Sequence, residues 1–147
     1  MALPRRMTPP RERETLMAKL VLIGLGGCLG AIARYSLAGL AQRWTSGVFP
    51  VGTLLVNVLG CFAIGAVMGL VEGPHALGPN IRFLFVIGFL GSFTTLSTLG
   101  YETVEMLRDG QFVWAALNAC GNMALGLGAV ILGRLAARAA AAIGGFA

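Results

Sequence analysis

Between Gly88 and Glu102 the chain reads GFLGSFTTLSTLGYE, placing glycines and the hydroxyls of Ser92, Thr94, Thr95, Ser97 and Thr98 where an ordinary apolar helix carries Leu and Val. Such a composition favours a helix that breaks. At membrane depth the freed carbonyls and amides must be satisfied by protein, ion or water, so broken helices persist where they line a site or cavity. The carbonyl end of the first half, near Gly91 and Thr94, favours a cation, and the amide end of the second half favours an anion. The alternative is a continuous helix whose small residues allow close packing and whose Ser and Thr bond back to their own carbonyls. Beyond the break, Thr95, Thr98 and Glu102 are spaced i, i+3, i+7 and share one helical face. Asn57, Asn118 and Asn122 add amide donors, the last two one turn apart. Each alone is equally well read as interhelical glue of about 1 kcal/mol. Together with the hydroxyls they favour an ion or water path.

Arg34 lies well inside an apolar run, so its charge must reach an aqueous vestibule, an interface or a carbonyl cluster, or else mark a helix end and snorkel. Glu102 and Glu105 are either proton carriers or part of a solvated face. His75 is the single histidine and falls in a Gly/Pro-rich loop, which excludes histidine-based triads and His-rich metal sites. Cys28, Cys61 and Cys120 are odd in number and all lie in apolar spans, so they support neither a disulfide framework nor a zinc site.

The elements that must position these residues follow from composition. The 147 residues are 56% hydrophobic and 12% charged, with a mean hydropathy of +0.81, against roughly 25% charged in soluble domains. Four apolar spans are expected at about residues 20–41, 51–71, 82–107 and 112–133, each near the roughly 20 residues that cross a bilayer core. An all-α membrane protein follows, its third helix broken near the middle, with no room for a soluble catalytic domain. Residues 1–19, rich in Pro and alternating Arg with Glu, read as a disordered or headgroup-lying tail, 20–133 as the transmembrane domain and 134–147 as a short tail. A cleaved signal peptide fits poorly.

The net charge of +5 and pI near 9.9 do not indicate nucleic acid, because the basic residues flank spans. With four spans the termini share a side carrying Arg5, Arg6, Arg11, Arg13, Lys19, Arg82, Arg134 and Arg138, against Arg43 and Arg108 opposite, which puts the termini inside. A chain started at Met17 loses most of that bias and inserts both ways.

The stretches GAIARY at 30–35, GTLLVNVLG at 52–60 and GFLGSFTTLST at 88–98, followed by Glu102, resemble in order and spacing the small fluoride channels of the Fluc/CrcB family. The resemblance covers about residues 20–133. It implies an antiparallel, dual-topology homodimer in the inner membrane with two fluoride pores. It also implies a central structural sodium ion held by backbone carbonyls, which carries over to Gly91 and Thr94. Asn57 matches the family's pore asparagine, Arg34 its vestibule arginine, and Thr95, Thr98 and Glu102 its third-helix polar residues. Two departures stand out. Leu96 and Leu99 replace phenylalanines whose ring edges face the anion, and Asn118 and Asn122 replace a tyrosine and a serine.

A fluoride pore must replace the ion's water shell with N–H and O–H donors while excluding chloride. Asn57, Thr95, Ser97, Thr98 and Asn122 are the expected donors. Passive transport is expected, since no phosphate-binding loop exists. The rivals are a non-conducting subunit needing a paralogous partner, which the two leucines support, and a small multidrug exporter, which the lack of an acid in the first span opposes. An intramembrane enzyme lacks a nucleophile and base pair.

Overall fold

The computed structural model describes residues 10–45, 47–71 and 78–143; His75 and the tail residues 1–9 and 144–147 lie outside them. The described residues form helices α1 (Pro10–Arg43), α2 (Val51–Val71), α3 (79–93), α4 (Leu96–Arg108) and α5 (Phe112–Ile143). Four segments are long and apolar enough to cross a membrane: Thr15–Arg43, Val51–Val71, Pro79–Arg108 and Phe112–Ile143. The first and last helices outrun the spans expected from composition. Helix α1 begins at Pro10, a proline suited to a first turn, and α5 continues through Arg134 and Arg138 into its alanine-rich end.

Lipid supplies no hydrophobic drive between helices, so close backbone approach through small residues has to hold them together. The parallel pair α2 and α5 shows this most strongly. A Cβ at Gly65 would overlap the Val130 carbonyl, and one at Gly133 would lie 2.9 Å from the Ala66 nitrogen. Helices α1 and α3 meet the same way, with Gly88 within 3.0 Å of the Gly26 Cα if given a Cβ. Thus α3 packs chiefly on α1, while α4 packs chiefly on α5.

The connections are built from local chemistry. Gln42 near the end of α1 accepts from the Gly52 N–H at 3.3 Å and donates to the Phe49 carbonyl at 3.4 Å, capping the start of α2. Between α4 and α5, Gly110 adopts φ +73° while the Gln111 N–H reaches the Met106 carbonyl at 2.8 Å and the Gly110 N–H the Leu107 carbonyl at 3.1 Å. This paired closure is a Schellman turn, and it needs glycine at the left-handed position.

Helix α3 is irregular. Residues Arg82–Leu90 are wound as a π-helix, a wide coil that is rare at this length. Its i, i+4 side chains fall nearly in register, so Phe85, Phe89 and Phe93 stack with centroids 5.3 and 5.7 Å apart.

Candidate functional site

The third span breaks at Thr94 and Thr95, where the backbone is extended (φ/ψ −84°/157° and −150°/114°). Of the two alternatives the sequence left open, the break is the one adopted. Thr94 closes the first half, its N–H and hydroxyl both donating to the Leu90 carbonyl, at 3.2 and 3.3 Å. Thr95 starts the second half as an N-cap, its Oγ1 accepting the Thr98 N–H at 3.2 Å.

Asn57 on α2 satisfies the severed backbone. Its Oδ1 accepts the Thr95 N–H at 2.8 Å, and its Nδ2 donates to the Thr95 carbonyl at 3.3 Å. One side-chain amide thereby serves both backbone groups of a single residue. The same Nδ2 donates to Asn122 Oδ1 at 2.9 Å, tying α2 to α5 at the level of the break. Asn122 in turn donates to the carbonyl and Oδ1 of Asn118, at 3.0 and 3.1 Å. The Thr95 N–H, which would otherwise close the helical bond to the Gly91 carbonyl, is diverted to Asn57.

A cavity of about 380 Å³ opens beside this junction. Its polar wall comprises Asn57, Thr94, Thr95 and Asn122; Gly91, Leu96, Leu99 and other apolar residues complete it. Leu96 is 78% exposed in the isolated chain and Leu99 half-buried. Ser97 adjoins the wall through a 3.2 Å hydroxyl contact with Thr95, whose own hydroxyl donates to Thr98 Oγ1 at 2.9 Å.

Other predicted residues stand apart from the cavity. Asn118 is fully buried behind Asn122 and donates to Thr103 Oγ1 at 3.0 Å. Glu102 turns toward α2, where its Oε1 accepts from Thr53 Oγ1 at 2.7 Å and its Oε2 is buried with no hydrogen-bond partner. It is half-buried, so a fully solvated face is not what surrounds it. Arg34 is half-buried on α1, one turn past the contact of Gly30 with Phe89, and therefore level with the break. Glu105 pairs instead with Arg108 at 2.9 Å on the surface.

Thr53 and Thr103 were not among the expected site residues. Thr53 was detectable as the residue one turn before Asn57, on the same face of α2. Thr103 gave no signal of its own, since its role depends on α5 passing alongside.

The match of residues 21–134 to the family described as "CrcB-like protein, Camphor Resistance (CrcB)" takes in every one of these groups. The chain belongs to the CrcB-like family. Among curated relatives, the protein named fluoride-specific ion channel FluC from Nitratidesulfovibrio vulgaris (strain Miyazaki F) is 49% identical over 117 residues, covering 80% of this chain and 94% of its own. Proteins of the same name from Desulforapulum autotrophicum and Geobacter sulfurreducens are each 42% identical, the matches covering 80% and 83% of this chain and 97% and 98% of theirs. As a CrcB-like protein the chain is a multi-pass membrane protein, in keeping with its four spanning helices.

A cation at the break would have to be a hard one. Among the described residues no group of three His, Cys, Asp or Glu gathers to hold a metal, so the ligands on offer are carbonyl and hydroxyl oxygens. Gly91 and Thr94 both line the cavity, and the Gly91 carbonyl has lost its helical donor to Asn57. Those donors fit a sodium ion.

Proposed function

We propose that this protein is a passive fluoride-selective channel of the inner membrane, not an enzyme, formed by two copies in opposite orientations. The observation that carries the reading is the polar wall of Asn57, Thr95 and Asn122 on an otherwise apolar cavity, in a chain nearly half identical to a protein named fluoride-specific ion channel. Fluoride sheds tightly held water only for closely placed N–H and O–H donors, and a narrow apolar surround excludes larger anions. The amides of Asn57 and Asn122 and the hydroxyls of Thr95, Ser97 and Thr98 are the donors of this path. Arg34, level with the break, raises the local anion concentration from the vestibule. Gly91 and Thr94 of each copy hold a structural sodium ion through their carbonyls; its charge fixes the carbonyl ends of the two broken helices. Residues 20–133 suffice for this work.

Liposomes holding only this protein, with sodium on both sides, are expected to release fluoride and retain chloride. A folded, dimeric preparation that releases neither overturns the reading. It would favour a subunit needing a paralogous partner, for which the exposed Leu96 in place of an aromatic ring is the supporting observation.

A further inference from the structure

The amides of Asn118, Asn122 and Asn57 form a ladder in which every donor points the same way. Asn57 Nδ2 donates to Asn122 Oδ1, Asn122 Nδ2 to Asn118 Oδ1, and Asn118 Nδ2 to Thr103 Oγ1, over 2.9, 3.1 and 3.0 Å. A side-chain amide can be turned over in place, exchanging donor for acceptor, so the ladder has two opposite polarities. The Asn118 backbone carbonyl, which also accepts from Asn122 Nδ2 at 3.0 Å, favours the observed one, and the two ends of the ladder, at the N-cap of α4 and within α4, complete the choice. At one end the Thr95 N–H requires an acceptor, which is Asn57 Oδ1 at 2.8 Å. At the other, the Thr103 hydroxyl spends its single proton on the Leu99 carbonyl at 2.7 Å and is left to accept.

We propose that Thr103 is a positioning residue for anion passage, acting through Asn118 and Asn122 to hold the Asn57 amide with its nitrogen, not its oxygen, available to the ion. This rests on the fluoride-channel reading above. Thr103 does not line the cavity; Asn57 and Asn122 do. In the observed polarity both protons of Asn57 Nδ2 are engaged, the longer bond being the 3.3 Å one to the Thr95 carbonyl. That proton is the one an arriving anion takes. The opposite polarity presents Asn57 Oδ1 there, which repels an anion and also strands the Thr95 N–H. Asn118 is fully buried and Asn122 6% exposed, so water cannot substitute for the missing acceptor if Thr103 loses its hydroxyl.

Thr103→Val keeps the shape and removes the hydroxyl, whereas Thr103→Ser keeps the hydroxyl and removes a methyl. In sodium-loaded liposomes Thr103→Val is expected to lower fluoride efflux about tenfold, the scale of one buried hydrogen bond lost, while Thr103→Ser stays within about twofold of the unaltered protein. In protein labelled at asparagine side chains, the Asn57 NH2 resonances, two amides away from the substitution, are expected to shift in the valine variant and not in the serine variant. Unchanged efflux and an unmoved Asn57 signal in Thr103→Val, or an equal loss in Thr103→Ser, overturns the proposal. If the valine variant does not fold, Thr103→Ala against Thr103→Ser makes the same comparison. An unaltered protein that passes no fluoride defeats the channel reading by itself, and the Asn57 resonances still decide whether Thr103 sets the ladder.

Discussion

The Asn57 side chain accepts the Thr95 N–H that the break in the third span leaves without its helical partner, and adds a donor to the carbonyl of the same residue, which makes it the least replaceable side chain of the junction. Asn57→Leu leaves the Thr95 N–H, in a residue only 8% exposed, without an acceptor. A loss of about 1–3 kcal/mol is expected, read as a lower unfolding temperature in detergent together with abolished fluoride efflux. Asn57→Asp keeps the acceptor but sets its second carboxyl oxygen against Asn122 Oδ1 and the Thr95 carbonyl, so it is expected to lower the unfolding temperature as well and to abolish efflux. At this scale the sequence was informative wherever a polar residue stood alone in an apolar run, as Asn57 and Asn122 do. It was silent on Thr103, because a threonine bonded back to its own helix is ordinary until the helix that passes it is known.

Glycine patterns carried most of what was legible about the helices. Gly26 and Gly30 stand four apart in α1, a spacing that permits close helix contact, and Gly88 of α3 meets that surface. The glycines and hydroxyls of 88–98 announced the break, which falls at Thr94 and Thr95. The π-winding of Arg82–Leu90 was not legible, since an apolar run such as RFLFVIGFL has no feature that separates it from an α-helix. Nor did helix length follow from hydropathy. Helix α5 continues past Gly133 through residues that favour helix without being apolar enough to extend a span. The contact between α2 and α5 offers the sharpest test of helix packing. Gly65→Val places a branched side chain against the Val130 carbonyl, and an overpacking loss of about 1–3 kcal/mol is expected. Thermal melts of the variant against Gly128→Ala, where an added Cβ meets nothing within 4 Å, separate packing from helix propensity.

For the molecule as a whole, much apolar surface of α1, α4 and α5 faces outward, including Tyr35, Leu96, Tyr101 and Val113. Lipid meets such a surface, and in the proposed dimer a second copy covers part of it. If the copies insert in both orientations, a residue in the exposed turn at Asp109 lies outside in one and inside in the other. In a background without Cys28, Cys61 and Cys120, Asp109→Cys is expected to react with an impermeant thiol reagent on intact cells in about half of the chains, and fully once the membrane is opened. Complete or absent labelling of intact cells would instead show one fixed orientation. Family, span number and break were accessible from the chain; relative orientation was not, because the basic residues that bias it lie largely in the N-terminal residues 5–19.

The third span divides its loyalty: α3 rests on α1, and α4 rests on α5 across the three-residue turn closed by Gly110. This has a consequence for assembly during synthesis. When α3 emerges from the ribosome its partner has already been made, whereas α4 finds its partner only after the last span follows it. The join at Thr94 and Thr95 therefore separates an early half of the protein from a late one. Asn57, made long before either Thr95 or Asn122, waits on the early side until both arrive.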